Sequence, residues 1–193
     1  MSKCKKKLLV MDLFIAALLL VLDQFTKHLA VVYLKGKEPI SLIKGVLELQ
    51  YLEYRGAAFG MFQNQKVFLL IVGVLFIGAI VFFLLRLPED QKYFVMHVLA
   101  AVIIAGGLGN MIDRIRLEYV VDFISFVLIN FPIFNVADCY VVVATFSIFI
   151  LLLFVYKDED LDFLIKIGKK SGAHEVLTES PSDQDDREKP DEV

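Results

Sequence analysis

The sequence predicts a mainly α-helical, polytopic membrane protein with four transmembrane helices and a small β-element outside the membrane. Hydrophobic residues make up 58% of its 193 residues, whereas soluble domains contain about 45–50%. These residues are concentrated in four long apolar segments, as transmembrane helices require. Glycines, a proline and an imperfect alternation of apolar and polar residues lie between the first two segments, and such a pattern is typical of strands and turns.

The first helix is predicted over about residues 8–30. Basic residues before an apolar run to Leu22 also fit a secretory signal peptide, but no small-residue cleavage site follows. We therefore expect a retained helix that continues past Leu22. In such a helix Asp23 and Lys27, four residues apart, lie on one face.

The β-element is predicted over about residues 36–62. Within it, residues 46–54 alternate between apolar and polar, as in a half-buried strand. The small residues that follow, 56–60, suit either the close approach of another chain or ligand, or an ordinary hairpin turn. Both interpretations remain open on spacing alone.

Three further apolar runs predict the remaining helices, over about residues 67–85, 93–112 and 139–156. The first of these would be about 28 Å long, close to the thickness of a hydrocarbon core. In the next, Ala101, Ala105 and Gly109 recur every four residues, which favours close helix–helix contact in lipid. We expect His97 on the same helix to pack or to form a local hydrogen bond rather than to bind a ligand.

The predicted four-helix membrane domain occupies residues 1–156. We expect residues 157–170 to be a juxtamembrane segment and residues 171–193, which are polar and acidic, to be a disordered tail. Four spans place both termini on one side of the membrane, and flanking basic residues weakly favour the cytoplasm for that side. This topology places the β-element and the polar segment 106–138 on the extracytoplasmic face.

Charge and motif content exclude several classes of function. Basic residues are scattered at segment ends, which argues against nucleic-acid binding. Cys4 and Cys139 belong to no ligand motif, and we expect them on opposite membrane faces without a disulfide. The motifs of zinc peptidases, α/β-hydrolases and P-loop proteins are missing from the sequence. We therefore expect no metal and no other cofactor.

Asp122 and Asp138 are the polar residues best placed to act together. Each has a simpler interpretation: Asp138 as the N-cap of the fourth helix, and Asp122 as the partner of Arg114 or Arg116. Two carboxylates in a partly dry site, however, share a proton. One can then act as a base on water while the other donates to a carbonyl. This arrangement is that of an aspartic protease.

Asn110, Asp113 and Arg114 are spaced to share one face at the end of the third helix. We expect Arg114 to pair with a carboxylate and Asn110 to donate to the backbone or to a substrate. Anchoring of the helix end is the simpler alternative.

Five ordered segments carry a resemblance to a known family. They are Asp23-Gln24-x-Thr26-Lys27, Gly56-Ala57-Ala58-Phe59, Gly107-x-Gly109-Asn110-x-x-Asp113-Arg114, Val121-Asp122-Phe123 and Phe134-Asn135-x-Ala137-Asp138. In this order, across residues 8–156, the set resembles the motifs of lipoprotein signal peptidases (signal peptidase II). Any single motif is weak evidence, whereas the ordered set is specific.

The resemblance implies an aspartyl endopeptidase of the bacterial inner or plasma membrane, with four helices and an extracytoplasmic β-cradle. Such an enzyme removes signal peptides from diacylglyceryl-modified prolipoproteins, cutting just before the lipidated lipobox cysteine. Asp122 and Asp138 would be the catalytic dyad. The residues expected to support the site or the substrate are Asp23, Lys27, Tyr54, Gly56, Asn110, Asp113, Arg114 and Asn135. We expect lipidated signal peptides and membrane lipids as partners, and a monomeric enzyme.

One departure from the family pattern is Tyr54, which stands where the family usually has asparagine. A tyrosine hydroxyl can donate a hydrogen bond but cannot replace an amide, so the substrate contact at this position is open. Two other functions also fit buried carboxylates: a small ion-coupled transporter, and a membrane scaffold protein in which Asp138 only caps a helix.

Overall fold

The computed structural model of the protein describes residues 2–56 and 65–161. Within these residues the prediction of a mainly helical protein with a small sheet is confirmed. The four long helices are α1 (Lys3–Leu34), α2 (Lys66–Arg86), α3 (Phe94–Leu117) and α4 (Val136–Phe154), and the three strands are β1 (Ile40–Ile43), β2 (Leu47–Tyr54) and β3 (Val120–Phe126). By length and composition, each helix can cross a membrane.

The helix ends differ from the predicted ones where the local backbone decides them. α1 continues to Leu34 and ends before Gly36, whose φ of 71° breaks the helix. α3 runs to Leu117, beyond the predicted end near residue 112. There Glu118 adopts the left-handed conformation at φ 72°, which turns the chain directly into β3.

The sheet has the order β1-β2-β3, and both pairings are antiparallel. β1 and β2 form a hairpin whose turn contains Gly45 at φ 72°. β3, which is distant in sequence, pairs with β2 from Leu47 opposite Phe126 to Tyr54 opposite Val120. This long-range pairing brings the polar segment after α3 onto the hairpin.

Contacts at the helix termini define two ends of the bundle. At one end, the Ser2 hydroxyl donates to Glu89 and the Tyr156 hydroxyl donates to the carbonyl of Lys92. The start of α1, the α2–α3 turn and the end of α4 therefore lie together. At the other end, α1 packs on β3 in an apolar cluster formed by Ala30, Leu34, Val121 and Phe123.

Small residues allow α1 and α3 to pack closely along the bundle. Ala16 on α1 forms a cluster with Ala101 and Ala105 on α3, as the four-residue spacing predicts. Farther along, a Cβ on Gly109 would overlap the carboxylate of Asp23. Gly109 is therefore needed for the approach of a charged side chain.

Part of the predicted organisation lies outside the described residues. This holds for residues 57–62 of the β-element, for most of the juxtamembrane segment, and for the tail at 171–193. Of the juxtamembrane segment, the described part includes a 3₁₀ turn at Asp158–Leu161.

Candidate active site

The start of α4 is built by a capping box. Asn135 is the N-cap, and its side-chain oxygen accepts from the Asp138 N–H at 3.1 Å. In return, the Asp138 carboxylate accepts from the Asn135 N–H at 3.1 Å. The interpretation of Asp138 as the N-cap is therefore wrong: the cap lies three residues earlier, and α4 begins at Val136.

Asn135 also connects the two candidate carboxylates. Its side-chain Nδ2 donates to Asp122 at 2.6 Å, while its oxygen and backbone N–H hold Asp138. Asp122 is 4% exposed and Asn135 is fully buried. One residue thus joins a carboxylate on β3, through its side chain, to a carboxylate on α4, through its backbone N–H.

Arg114 lies beside this pair, and within the described part of the chain it forms no ion pair with the predicted carboxylate. Its guanidinium donates to the carbonyls of Asn110, at 3.3 Å, and Gly56, at 3.2 Å. The described contacts therefore do not show the predicted pairing of Asp122 with Arg114. Asp122 accepts its hydrogen bond from Asn135 instead. At longer range, the positive charge of Arg114 still favours the ionised form of Asp122.

Asn110 links the dyad to a buried ion cluster. Its Nδ2 donates to Asp138 at 2.7 Å. Its oxygen accepts from Lys27 at 2.9 Å and from Asn135 at 3.1 Å. Asn110 thus donates to a catalytic candidate, a partner that the sequence did not indicate, and its donation to a substrate stays a prediction. A continuous chain of hydrogen bonds leads from Lys27 to Asp138.

The ion cluster consists of Lys27 between Asp23, at 3.0 Å, and Asp113, at 2.9 Å. All three side chains are at most 4% exposed. The predicted spacing of Asp23 and Lys27 on one helix face is observed as a salt bridge. Gln24, to which the sequence assigned no role, donates to Asp113 at 3.0 Å and to Asp23 at 3.2 Å.

Each acid of this cluster also holds the backbone immediately before one dyad residue. Asp23 accepts from the N–H of Ala137, at 3.0 Å, which precedes Asp138. Asp113 accepts from the N–H of Val121, at 3.2 Å, which precedes Asp122. The ion cluster therefore fixes the strand and the helix that carry the pair.

Burial raises the pKa of Asp122 to about 7, and the negative charge of Asp138 adds to this effect. The hydrogen bond from Asn135 acts in the opposite direction and lowers the pKa. Near neutral pH this carboxyl group is therefore able to gain or lose a proton. The pair can hold a proton and a negative charge together, as general acid–base chemistry requires.

Both carboxylates line a cavity of about 480 Å³, a size typical of small-molecule and peptide sites. The polar side of its wall includes Tyr54, Asn110 and Arg114, so the residue that departs from the family pattern faces the same space. The apolar side is formed by β3, the segment before α4 and α4 itself, with Val120, Phe131, Pro132, Ile133, Phe134, Val142 and Val143.

Two glycines of α3 allow this assembly. A Cβ on Gly106 would lie 2.5 Å from the carbonyl oxygen of Ala137 at the start of α4. Gly109 leaves room for Asp23 in the same way. The small-residue spacing pointed to Gly109, whereas Gly106 lies outside that four-residue series.

Comparisons with known proteins identify the family of this chain. A family model described as signal peptidase (SPase) II matches residues 15–154. A lipoprotein signal peptidase of Streptococcus thermophilus is 43% identical over 142 residues, which cover 74% of this chain and 90% of the relative. Another, from Caldanaerobacter subterraneus, is 42% identical over 145 residues, covering 75% and 97%.

Two solved structures, each described as a bacterial membrane enzyme, are similar in fold. One has a TM-score of 0.64 at 29% identity and covers 76% of this chain and 94% of its own. The other has a TM-score of 0.63 and covers 89% and 94%, but at 24% identity it supports the fold alone.

Proposed function

The chain belongs to the signal peptidase II family and removes signal peptides from prolipoproteins, and we propose that it does so as an aspartic endopeptidase. Asp122 and Asp138 are its catalytic pair. The observation that carries this proposal is the position of Asn135, whose side chain donates to the Asp122 carboxylate and whose backbone N–H donates to the Asp138 carboxylate, at the wall of one cavity.

The proposed reaction uses the proton that the pair holds near neutral pH. The ionised carboxylate takes a proton from a water molecule as the water oxygen bonds to the scissile carbonyl carbon. The protonated carboxyl group gives its proton to the carbonyl oxygen. When the tetrahedral intermediate collapses, the C–N bond breaks and the proton gained from water passes to the leaving amine. A hydroxyl group of the intermediate returns its proton to the other carboxylate as the carbonyl of the new carboxyl group forms. The pair thereby returns to its starting protonation state.

The surroundings of the pair support a lipidated substrate. One side of the cavity wall is apolar and belongs to α4, a candidate membrane span. The diacylglyceryl-modified cysteine of a prolipoprotein would bring acyl chains to this side, and the scissile bond before that cysteine would face the carboxylates. Tyr54 and Arg114 lie on the polar side, where they would contact the peptide backbone of the substrate. Gly56, whose carbonyl accepts from Arg114, would support this side of the site.

The proposed setting is the bacterial plasma membrane. Four apolar helices support a multi-pass protein, and the sheet and the pair lie at the end of the bundle opposite the start of α1. We place both termini in the cytoplasm and the site near the extracytoplasmic face. Membrane lipids surround a monomeric enzyme. The transporter and scaffold interpretations are not favoured, because the relatives are lipoprotein signal peptidases.

The test is cleavage of a diacylglyceryl-modified prolipoprotein by the purified wild type and by Asp122→Asn and Asp138→Asn. Because each variant removes one acid–base group, we expect each to lower kcat by about 10³-fold, within the range for general acid–base groups. A chelator added to the wild type should leave cleavage unchanged.

Asp90→Asn is the matched control, since this exposed acid caps a 3₁₀ turn before α3 and asparagine caps about equally well. Its kcat should equal that of the wild type. Full activity in either dyad variant would refute the assignment of the catalytic pair. Loss of activity with chelator would refute the metal-independent mechanism.

A further inference from the structure

A second buried polar pair lies in the half of the bundle away from the cavity. Asp12 on α1 and His97 on α3 are 2% and 1% exposed. The Oδ2 atom of Asp12 lies 2.9 Å from Nδ1 of His97. Asp12 precedes Asp23 by about 16 Å along α1, at 1.5 Å per residue. The pair therefore lies outside the dyad and the ion cluster.

Burial of this pair within membrane-spanning helices is costly, because ionisable side chains are poorly solvated there. Among the residues that the structure describes, Asp12 Oδ1 and His97 Nε2 are buried and have no hydrogen-bond partner. A single directional contact, between Oδ2 and Nδ1, therefore joins the two side chains. If α1 slid along α3 by one residue, about 1.5 Å, this contact would be stretched and misaligned.

Between this pair and the candidate active site, the interface of α1 with α3 is formed by small apolar side chains. Ala16, Ala101 and Ala105 pack there through methyl groups. Such small side chains allow close approach but give little resistance to sliding of one helix along the other. The directional contacts of the α1–α3 interface thus lie at its two ends.

We propose that Asp12 and His97 are positioning residues that set the register of α1 on α3 for catalysis. This inference rests on the proposed function, because the register acts through the dyad. Lys27 of α1 donates to Asn110 of α3, and Asn110 donates to Asp138. A shift of α1 would therefore move the hydrogen-bond donor that orients a catalytic carboxylate.

The test compares variants that remove the contact with variants that keep it. Asp12→Leu and His97→Leu remove it. Asp12→Asn keeps an acceptor, and His97→Asn places an amide donor near the position of Nδ1. Leu13→Ala is the matched control, because this neighbour of Asp12 is 70% exposed and faces lipid.

The measurement is kcat and KM for a lipidated prolipoprotein, at a temperature well below unfolding of each variant. We expect the leucine variants to lower kcat about tenfold, a plausible size for a coupled distant site. Their KM should change by less than about twofold, since the cavity itself is unaltered. Both asparagine variants and Leu13→Ala should have the kcat of the wild type.

Wild-type kcat in both leucine variants would overturn the inference, even if they melt at lower temperature. If the asparagine variants lose kcat as the leucine variants do, the hydrogen bond between the two side chains is not the cause of the loss, and the inference is wrong. If a leucine variant fails to fold, His97→Gln serves instead, because it moves the donor away from Nδ1 and should lower kcat. Activity that survives in Asp122→Asn would contradict the proposed function rather than this inference.

Discussion

Four aspartates lie at one end of the bundle, and their surroundings divide them into two pairs. Asp23 and Asp113 are bonded to the Lys27 ammonium. Asp122 and Asp138 are bonded by the neutral amides of Asn110 and Asn135 instead. The first pair is held by ion pairs to a buried cation, whereas the second is oriented by hydrogen bonds from neutral side chains.

Aspartate thus has two roles at this end of the bundle, one structural and one that we propose to be catalytic. The charge-paired acids hold backbone N–H groups and are closed off from the cavity wall. The amide-bonded acids line that wall. The ion-paired acids thus position the backbone that carries the proposed catalytic pair.

Removing the cation should produce the largest effect on stability. Lys27→Met leaves two buried carboxylates unpaired and should lower the free energy of unfolding by about 3–5 kcal/mol, as for other broken buried ion pairs. Denaturant titration in detergent measures this change. Lys66→Met is the matched control, because its partner Glu118 is 73% exposed, and its effect should be small. Equal stability of the two variants would contradict the role of the ion cluster.

Placing a methyl group against the Asp23 carboxylate should lower the free energy of unfolding by a smaller amount. In Gly109→Ala the new methyl group overlaps the Asp23 carboxylate, and overpacking of this kind costs about 1–3 kcal/mol. Gly78→Ala on α2 is the control, since its methyl group would meet no atom within 4 Å. Thermal unfolding should separate the two variants. A stabilised Gly109→Ala protein would show that Asp23 does not need this space.

The pH profile tests the amide-bonded pair alone and should give the smallest effect. The pKa of Asp122 is raised to about 7, so its proton is present below that pH and lost above it. If the singly protonated pair is the active form, kcat/KM should fall about tenfold between pH 6 and pH 8. The measurement is cleavage across this range with folding verified at each pH. A rate that rises from pH 7 to pH 9 would exclude this assignment.

Hydropathy was sufficient to predict the four helices, because membrane spans require long apolar runs. The strand β2 was also predictable from its alternation. The pairing of β2 with β3 was not, since its register depends on contacts between segments about 70 residues apart and on an irregularity between Leu49 and Leu52.

The candidate site was predictable as a set of residues but not as a network. Polar side chains between apolar runs indicated Asp122, Asp138 and Asn110, because such residues are rarely kept without a task. The partner of each depends on side-chain direction in three dimensions. Asn135 is the clearest case, since a helix-capping residue and a bridge between two acids look the same in sequence. The link between Asp12 and His97 could not be predicted for the same reason.

The capping box at the start of α4 has a consequence for inhibition. Asp138 closes that box through the N–H of Asn135 and, in the proposed mechanism, takes part in the chemistry. A compound that binds the Asp138 carboxylate would target a side chain whose replacement weakens the helix start and stops the reaction together. A substitution of Asp138 that prevents binding of the compound would therefore lower both the stability of α4 and the activity of the enzyme.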